Sequence, residues 1–544
     1  MKYGGIDADM TNRLAHLLRA RVKERGQWET YKEYYAKGLQ CVIHIEYNGA
    51  SIDSVERDNL EETYPRLMEL DMDIITETEY FKKFKEVSGK DEINLNSYKQ
   101  KMVMLYDIMC LPILGETKAG NKPTDKDTLQ KLLELDDIHE LRLDKKKVLT
   151  AMMSYAQKST IYSSFVKNLP EKWVAVGTPN FWEELTGESI RHENFFIHPS
   201  FHVGMKETGR WSCSEPNLQN IPKESKYPIK NMFKSRFKDG VIIVPDYSQL
   251  ELRVLAMISK SDKWREIFEA GLDFHTASTS NLLGIPIEEV TSDQRSRMKH
   301  VVFGILYGQG PASVAEKCGM SKDEAVNYIK SFYERFPSAK RYQEEQIEYA
   351  KANNSIHIPS GKIRYLTEFE DAYRIKNKDK GRFSELIGRG ERKAVNTPIQ
   401  GFASDINQTG LVYLFDMMNE MTLKSKIFGA VHDSIEIDVH PTEIVDILSG
   451  IHECLVLRTQ EHYKAIRHDI PLSVSYSVGS TWGSVLESKS CEFYDDHVSL
   501  KFEGKQDDFI SLMGILNKYY EIEYGDVEEI EEEEKIVSEI SIFS

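Results

Sequence analysis

Two aspartates placed directly after apolar runs are the strongest candidates for chemistry in this sequence. Asp246 follows the run VIIVP, and Asp433 lies in an HDS turn between two further apolar segments. Carboxylates at the ends of adjacent strands suit two divalent cations about 3.5 to 4 Å apart, which stabilise the attacking and leaving oxygens in phosphoryl displacement. The pair therefore indicates a metal-dependent phosphoryl-transfer site.

The elements that must position these aspartates are short strands. Apolar residues 241–244, bounded by Gly240 and Pro245, predict a buried strand that ends at Asp246. A half-buried hairpin is predicted around Asp433, since Ile435, Ile437 and Val439 alternate with Glu436 and Asp438. Two alternatives stay open. Asp246 is also a favourable N-cap for the helical pattern LELRVLAMIS, and Asp433 is also a common turn residue that satisfies its own backbone.

Five blocks of sequence carry a resemblance to the family A DNA polymerases. DYSQLELR, RSRMKHVVFGILYG and VHDS resemble motifs A, B and C of that family, and TGRWSCSEPNLQNIP and ERKAVNTPIQG resemble two further blocks. The resemblance implies an α+β multidomain right-hand fold with an antiparallel-sheet palm, helical fingers and a helical thumb. It also implies template-directed addition of deoxynucleotides to a primer 3′-hydroxyl by two-metal phosphoryl transfer, with release of pyrophosphate.

The resemblance also implies a division into domains. We expect a remnant of the end of an exonuclease domain, a thumb with the entry to the palm, a palm in two parts separated by the fingers, and an appended C-terminal segment with an acidic tail. The corresponding residues are 1–44, 45–190, 191–265 with 396–484, 266–395 and 485–544.

The N-terminal segment has the Tyr3 to Asp7 spacing of the last motif of a proofreading exonuclease domain. The alternative is a chance match on an amphipathic helix. The segments that would supply the other exonuclease carboxylates precede this motif in the family. We therefore expect no proofreading by this chain and a replicative enzyme of phage type. Two alternatives stay open for the N-terminal helix: it packs against a separate exonuclease subunit, or the chain is one piece of a split gene.

The metal site implied by the resemblance uses Asp246, Asp433 and the backbone carbonyl of Tyr247 to hold two Mg²⁺ ions. Ser434 stands where many family members have Glu, which affects only an auxiliary third carboxylate. The catalytic residues implied are the two aspartates and Lys299, which neutralises the α-phosphate.

A candidate nucleotide-binding helix carries cations and aromatic rings at four-residue spacing. Arg295, Lys299, Phe303 and Tyr307 share one broad helical face, on which cations suit a triphosphate and rings suit a base and sugar. The alternative is an amphipathic helix with snorkelling cations.

Three further residues are implied at the nucleotide. Gln249 and His275 contact it, and Glu251 covers the sugar 2′ position and excludes ribose. Phe303 has no phenolic hydroxyl, which predicts discrimination against dideoxynucleotides.

Contacts to primer-template DNA are also implied. Arg210 is expected at the minor groove of the primer terminus, where every correct pair presents acceptors, although pairing with Glu215 is the structural alternative. His432 is expected to contact the primer end or to cap its turn. The other implied DNA contacts are Arg392, Asn396 and Gln400. Candidate phosphate contacts in the thumb, or simply solvated lysines, are Lys118, Lys122, Lys126 and Lys145 to Lys147.

Length, charge and cysteine spacing set outer limits. The chain has 544 residues and a net charge of -17, of which -12 falls on residues 485–544. Its six cysteines show no CxxC spacing and no disulfide framework, and the sequence contains neither a P-loop motif nor an uncharged apolar stretch of membrane-spanning length. We therefore expect a protein of a reduced cytoplasm, the host cytoplasm if viral, without a membrane partner.

The acidic C-terminal segment suggests a tether. The run VEEIEEEEK at 527–535 is typical of a solvated, disordered chain, and the residues after it resemble short peptides that bind a sliding clamp. Ile540, Ile542 and Phe543 are the candidate clamp-binding residues. The alternative is an apolar terminus without a binding role.

Two other functional classes remain as alternatives. A single-subunit RNA polymerase is disfavoured by Glu251, which would block a ribose. A catalytically silent DNA-binding subunit is disfavoured because Asp246, Asp433 and Lys299 are all present.

Overall fold

The computed structural model describes the chain as two compact units. The larger unit comprises residues 1–49, 199–219 and 235–544, and the smaller comprises residues 50–198 and 220–234. Within them, the described residues are 2–115, 120–134, 143–168, 173–174, 194–222, 228–494, 497–530 and 535–543. All six cysteines fall in these ranges and are free thiols. Among the described helices, we find none with the length and apolarity that crossing a membrane requires.

The strands and helices are numbered here in chain order. The strands are β1 (Ala50–Asp53), β2 (Trp173–Val174), β3 (Asn194–Ile197), β4 (Ser200–His202), β5 (Ser212–Ser214), β6 (Val241–Tyr247), β7 (Ser355–His357), β8 (Ile363–Tyr365), β9 (Lys426–Val431), β10 (Ser434–Val439), β11 (Val474–Gly479), β12 (Val485–Phe493), β13 (His497–Lys505), β14 (Glu521–Ile530) and β15 (Lys535–Phe543). The α-helices are α1 (Lys2–Glu24), α2 (Trp28–Thr30), α3 (Lys37–Asn48), α4 (Ser54–Thr76), α5 (Glu79–Ser88), α6 (Tyr98–Met102), α7 (Lys126–Glu134), α8 (Leu143–Ile161), α9 (Leu250–Ser259), α10 (Asp262–Glu269), α11 (Phe274–Leu283), α12 (Ser292–Leu306), α13 (Pro311–Cys318), α14 (Lys322–Arg335), α15 (Pro337–Asn353), α16 (Thr367–Ile375), α17 (Lys380–Glu420), α18 (Ile444–Ile451), α19 (Thr459–His462), α20 (Lys464–Arg467) and α21 (Gln506–Leu516).

The smaller unit is mainly helical, with a three-stranded antiparallel sheet in the order β1-β3-β2. Helix α4 begins at Asp53, whose carboxylate accepts hydrogen bonds from the backbone N–H groups of Val55 and Glu56 at 2.9 and 3.2 Å, as an N-cap should. Lys158 of α8 forms a buried ion pair with Asp71 of α4 at 2.8 Å. This pair fixes the register of two packed helices.

The candidate phosphate-binding lysines of this unit lie mostly at its surface. Lys126, Lys146 and Lys147 are exposed at the starts of α7 and α8, and Lys145 is partly exposed. Lys122 lies 3.5 Å from Asp107, which already supplies it with an anionic partner. Lys118 lies outside the described residues.

An eight-stranded antiparallel sheet organises the larger unit, in the order β14-β15-β13-β12-β11-β6-β10-β9. The apolar run that predicted a buried strand is β6, and Val241, Ile242 and Ile243 are all buried. Because β11 and β10 flank β6 on its two sides, its end is held in a fixed position.

The prediction of a half-buried hairpin is wrong in one respect. Strands β9 and β10 do form a hairpin, but Glu436 and Asp438 are each only 1% exposed, like the apolar residues between them. Asp438 accepts hydrogen bonds from Ser235 Oγ at 2.5 Å and Arg236 Nε at 2.7 Å. Buried carboxylates of this kind are retained because their partners satisfy them, which polar alternation along one strand does not reveal.

Two predictions for the C-terminal segment do not hold for the residues that the structure describes: residues 527–530 and Lys535 are not disordered, and residues 540–543 are not a flexible tether. Residues 527–530 belong to β14, and β15 pairs with both β13 and β14; residues 531–534 lie outside the described residues. Ile540 and Ile542 are 0% and 1% exposed, and the ring of Phe543 stacks on that of His497 at 4.8 Å. These side chains belong to the sheet and its core, so they do not form a free peptide.

Two helices of the larger unit carry half of the predicted nucleotide- and DNA-binding residues. Helix α12 begins with a capping box between Thr291 and Gln294, which accounts for its start. Helix α17 runs for 41 residues, and its buried second half includes Pro398. The two helices meet near Tyr307, at the end of α12.

Candidate active site

The two candidate metal-binding aspartates lie on neighbouring strands. Asp246 of β6 is opposite Ser434 of β10 in the sheet register, and Asp433 occupies the turn between β9 and β10. The backbone N–H of Tyr247 donates to the carbonyl oxygen of Asp433 at 3.4 Å. The N-cap of α9 is Gln249, so Asp246 does not cap that helix. The structure therefore brings the two aspartates together.

The donors at this position fit magnesium. Two carboxylates and the carbonyl of Tyr247 are hard oxygen ligands, and Mg²⁺ commonly takes one or two carboxylates together with waters and substrate phosphates. In the part of the chain that the structure describes, no group of three or more His, Cys, Asp or Glu side chains could hold a metal alone. The Ser434 hydroxyl lies within hydrogen-bond distance of two acceptors, Glu436 Oε1 at 2.7 Å and the carbonyl oxygen of Val431 at 2.8 Å, to one of which it donates its proton.

Arg210, Glu251 and Tyr307 form a hydrogen-bonded group beside Asp433. Arg210 Nη2 lies 2.6 Å from Glu251 Oε1 and 3.6 Å from Asp433 Oδ1, so its partner is Glu251 and not Glu215. The Tyr307 hydroxyl donates to Glu251 Oε2 at 2.5 Å. Burial and the nearby Glu251 raise the pKa of Tyr307 well above its ordinary value, which keeps the phenol protonated as a donor.

Two amides of α17 hold Tyr307 from the other side. The Gln400 side chain is hydrogen-bonded to the Tyr307 side chain, and Asn396 Nδ2 donates to the Tyr307 carbonyl at 3.5 Å. Arg392, the third residue of the predicted set, is exposed on the same helix. Asn396 and Gln400 thus position Tyr307 in this structure.

Asp273 is a central residue of the site that the sequence did not single out. It accepts hydrogen bonds from Arg295 Nε and Nη2, both at 2.9 Å, and from Gln249 Nε2 at 2.6 Å, and it caps α11 through the backbone N–H of Thr276. Burial opposes its ionisation, but the hydrogen bonds from Arg295 and Thr276 hold the pKa of this carboxyl well below its usual range. The available signal was an Asp directly before the helix that carries His275.

The residues predicted to bind the nucleotide lie along α12 and beside it, with Tyr307 as the C-cap of the helix. The Phe303 ring lies 5.8 Å from the Tyr307 ring in a stacked arrangement and 5.8 Å from the ring of His275. Lys299 is exposed on the same face. Burial, with the positive charges of Arg295 and Lys299, lowers the pKa of His275 to about 4 despite the opposing charge of Asp273, so the imidazole is neutral near pH 7.

His432 lies at the rim of a small recess beside the aspartates. It is exposed with φ near 59°, a left-handed conformation, and its carbonyl accepts a hydrogen bond from Asn407 Nδ2 at 3.2 Å. Arg210, Trp211 and Gln219 also line this recess. The predicted DNA contacts Arg210 and His432 therefore border the same opening.

Comparison with known proteins places this site in a family. The sequence profile of DNA polymerase family A matches residues 66–484. DNA polymerase I of Bacillus subtilis is 32% identical over 406 residues, which are 74% of this chain and 41% of that protein. DNA polymerase I of Pseudomonas aeruginosa is 29% identical over 88% of this chain and 47% of its own length, and the DNA polymerase of Bacillus phage SP01 is 29% identical over 77% and 42%. The chain spans less than half the length of these relatives.

A solved structure shows the same fold. The POL domain of Pol1 from M. smegmatis, in complex with DNA primer-template and dNTP, matches with a TM-score of 0.72 and 24% sequence identity. The match covers 87% of this chain and 74% of that chain. The predicted α+β right-hand architecture, with an antiparallel-sheet palm and helical fingers and thumb, is confirmed.

Proposed function

Because the chain belongs to DNA polymerase family A, we propose that it extends a primer on a DNA template by adding deoxynucleotides to the 3′-hydroxyl and releasing pyrophosphate. The observation that carries this proposal is the placement of Asp246 and Asp433 on paired strands, next to the Arg210–Glu251–Tyr307 group. We propose that the aspartates supply oxygen ligands for cations and that the Glu251 carboxylate, held by Arg210 and Tyr307, is the barrier to a ribose 2′-hydroxyl.

Different residues contribute to cation binding and to charge neutralisation in this reaction. Asp246, Asp433 and the Tyr247 carbonyl would hold two Mg²⁺ ions, which when bound supply Lewis-acid stabilisation of the attacking and leaving oxygens. Lys299 and Arg295 neutralise charge on the triphosphate, and Arg295 is oriented for this by its two hydrogen bonds to Asp273. Positioning and charge neutralisation are the main contributions a protein makes to phosphoryl transfer.

Selection of the sugar falls to Glu251 and Phe303. Glu251 is fixed between Arg210 and Tyr307, so its carboxylate cannot swing aside readily to admit a 2′-hydroxyl. Phe303 presents a ring without a hydroxyl, and we propose that it makes incorporation of dideoxynucleotides unfavourable. Phe303→Tyr should then raise dideoxynucleotide incorporation relative to deoxynucleotides, whereas an unchanged ratio would contradict this role.

We assign the predicted DNA contacts and domains on the same basis. Arg210 and His432 border the recess proposed for the primer end, with Arg392, Asn396 and Gln400 on the template side. We propose that the smaller compact unit is the thumb, that strands β6, β9, β10 and β11 belong to the palm, and that residues 266–395 are the fingers; strands β12 to β15 of the same sheet come from the appended C-terminal segment, residues 485–544. A replicative role, of phage type, is proposed with them.

A proofreading exonuclease subunit is the partner that we propose for α1. Five apolar side chains of this helix are exposed, from Ile6 at 61% to Leu18 at 48%; the others are Met10, Leu14 and Leu17. Such a stripe at helical spacing suits a protein interface. Leu14→Glu should abolish co-purification with a co-expressed exonuclease; unchanged co-purification would contradict the assignment.

Extension of a labelled primer on a DNA template with Mg²⁺ tests the central proposal. We expect extension with deoxynucleotides, little with ribonucleotides, and none in Asp433→Asn. Extension with ribonucleotides instead would favour an RNA polymerase. Binding without extension under any condition would leave a DNA-binding subunit.

A further inference from the structure

A buried ion pair lies behind the loop that carries Arg210. Lys362, in the turn between β7 and β8, pairs with Asp405 of α17, and their side chains are 6% and 0% exposed. The same carboxylate accepts a hydrogen bond from the hydroxyl of Ser360. Burying two charges costs solvation free energy that their attraction barely offsets, so stability alone is a poor explanation for this pair.

Aromatic rings of the N-terminal segment cover the pair. Lys362 Nζ lies 4.5 Å from the centre of the Tyr34 ring and 5.0 Å from that of Tyr35. Burial raises the pKa of the Asp405 carboxyl, whereas the Lys362 ammonium and the Ser360 hydroxyl oppose that rise. Removal of the ammonium would therefore alter both partners of the pair.

The backbone at Gly209 packs on this pair. A Cβ atom at Gly209 would lie 3.4 Å from Lys362 Nζ and 3.9 Å from Asp405 Oδ1. Gly209 has φ near 79°, in the left-handed region that glycine adopts most readily. One turn earlier on α17, a Cβ atom at Gly401 would lie 3.4 Å from the carbonyl oxygen of Thr208. Residues 208 and 209 therefore lie against α17 and the charged groups beside it.

The β7–β8 hairpin and α17 hold the loop at a second point. Arg364 of β8 forms an ion pair with Glu207, and Lys393 of α17 lies 3.2 Å from the same carboxylate. The backbone N–H of Gly209 donates to the carbonyl oxygen of Lys206 at 2.9 Å, which closes the turn. Residues 206–209 are thus held between the hairpin and the helix.

Arg210 follows Gly209 directly in the chain, so the anchored backbone sets where its side chain begins. Arg210 Nη2 lies 2.6 Å from Glu251 Oε1 and 3.6 Å from Asp433 Oδ1. A shift of the Gly209 backbone would be passed on to this guanidinium. A displacement of about 1 Å at a reacting site can lower a rate by about a hundredfold.

We propose that Lys362 and Asp405 are positioning residues for Arg210, whose guanidinium they hold between Glu251 and Asp433 by fixing the backbone at Gly209. The inference rests on the proposed polymerase function and adds to it two buried residues on which rate and sugar selection depend. The dependence on sugar arises because Arg210 is one of the two groups that hold the Glu251 carboxylate.

A double-mutant cycle between Lys362→Met and Arg210→Ala tests this coupling. Single-turnover primer extension by the full chain would measure the maximal rate, the apparent affinity for the nucleotide, and the preference for deoxynucleotides over ribonucleotides. Lys158→Met is the matched control, because Lys158 forms a buried pair with Asp71 in the smaller compact unit, with side chains 10% and 9% exposed.

A second variant covers the case in which Lys362→Met does not fold, as judged by thermal unfolding. Ser360→Ala keeps the ion pair and removes one hydrogen bond to Asp405. It would then take the place of Lys362→Met in the cycle with Arg210→Ala.

We expect Lys362→Met to lower the maximal extension rate by about tenfold or more, with little change in apparent nucleotide affinity and a weaker preference for deoxynucleotides. In the Arg210→Ala background, the same substitution should cost less than about twofold, because the residue through which it acts is already absent. Ser360→Ala should show a smaller loss in the same direction. Lys158→Met should extend primers as the wild type does.

The outcomes separate this inference from the function on which it rests. A wild-type rate and sugar preference in Lys362→Met, or in Ser360→Ala where Lys362→Met is unfolded, would overturn the positioning role. A loss of equal size with and without Arg210 would overturn it too, since the pair would then act through another group. An equal loss in Lys158→Met would assign the effect to stability, with the same consequence. Failure of the wild type to extend any primer would overturn the proposed function itself.

Discussion

The two ends of the eight-stranded sheet use acidic residues in opposite ways. At the β6–β10 end, Asp246 and Asp433 meet at strand ends with Arg210 nearby. At the β14–β15 end, carboxylates such as Glu523 and Glu539 are exposed, while Ile540 and Ile542 of β15 are buried. The role of an acidic residue therefore depends on its position relative to the end of its strand and on the side chains that face it. Local composition alone does not distinguish a metal ligand from a solvated surface residue.

The largest effect expected from this contrast is on catalysis. Asp433→Asn should lower primer extension by at least about a thousandfold, on the order of 4 kcal/mol of transition-state stabilisation, because a cation ligand is lost. Glu539→Gln removes the same charge at the other end of the sheet and should leave extension within about twofold. Steady-state extension rates would measure both effects. Equal losses of activity in the two variants would contradict the difference proposed between the two ends of the sheet.

The next effect concerns stability at the acidic end. Ile540→Asp should lower the free energy of unfolding by about 3 kcal/mol, since it places a carboxylate in the core of the sheet. Ile510→Asp makes the same change at a side chain that is 60% exposed on α21 and should cost well under about 1 kcal/mol. Chemical denaturation would measure both. Equal stability of the two variants would restore the tether interpretation of this segment.

A third prediction uses pH to probe His275, an ionisable residue near the proposed active site. His275 has a pKa of about 4 in the folded protein, below its unfolded value of about 6.5, so the unfolded state binds the extra proton first. Above about pH 6.5, His275 is neutral in both states and does not reduce stability. As the pH falls towards 4, protonation of His275 in the unfolded state lowers the free energy of unfolding by about 2 to 3 kcal/mol. His275→Gln should flatten this part of the stability profile, and a profile identical to that of the wild type would contradict the burial argument.

The smallest of these effects is on sugar selectivity. Glu251→Ala should reduce the preference for deoxynucleotides over ribonucleotides by about thirtyfold, roughly 2 kcal/mol, by opening space at the 2′ position. Tyr307→Phe leaves Glu251 in place but removes one of its hydrogen bonds and should have a smaller effect. Competition between the two nucleotide classes would measure the ratio, and unchanged selectivity in Glu251→Ala would remove the residue from this role.

Sequence reasoning succeeded where short-range patterns carried the information. The apolar run before Asp246 predicted β6, and four-residue spacing placed Arg295, Lys299 and Phe303 on one helix. Asp273 was missed because its importance depends on Arg295 and Gln249, which lie 22 and 24 residues away along the chain. The residues next to Asp273 in the sequence indicate only an ordinary helix N-cap.

The acidic segment was misread for a related reason. The alternation in KIVSEISIF has the period of a strand, but the adjacent run of glutamates suggested a solvated chain. Strand β15 pairs with β14 on one side and with β13, thirty or more residues earlier, on the other, and the second partner is not visible in the local composition. Long-range strand pairing overrides the preference of a charged segment for water when one face can be buried.

The order of the last strands has a consequence for synthesis of the chain. Strand β15 lies between β13 and β14 in the sheet although it follows both in the sequence. On the ribosome, β14 therefore emerges before the strand that joins it to the sheet. Until β15 is complete, the backbone N–H and C=O groups of β14 have no strand to pair with and can pair with other chains. Exposed carboxylates such as Glu521, Glu523 and Glu539 oppose such pairing, because like charges on neighbouring copies repel.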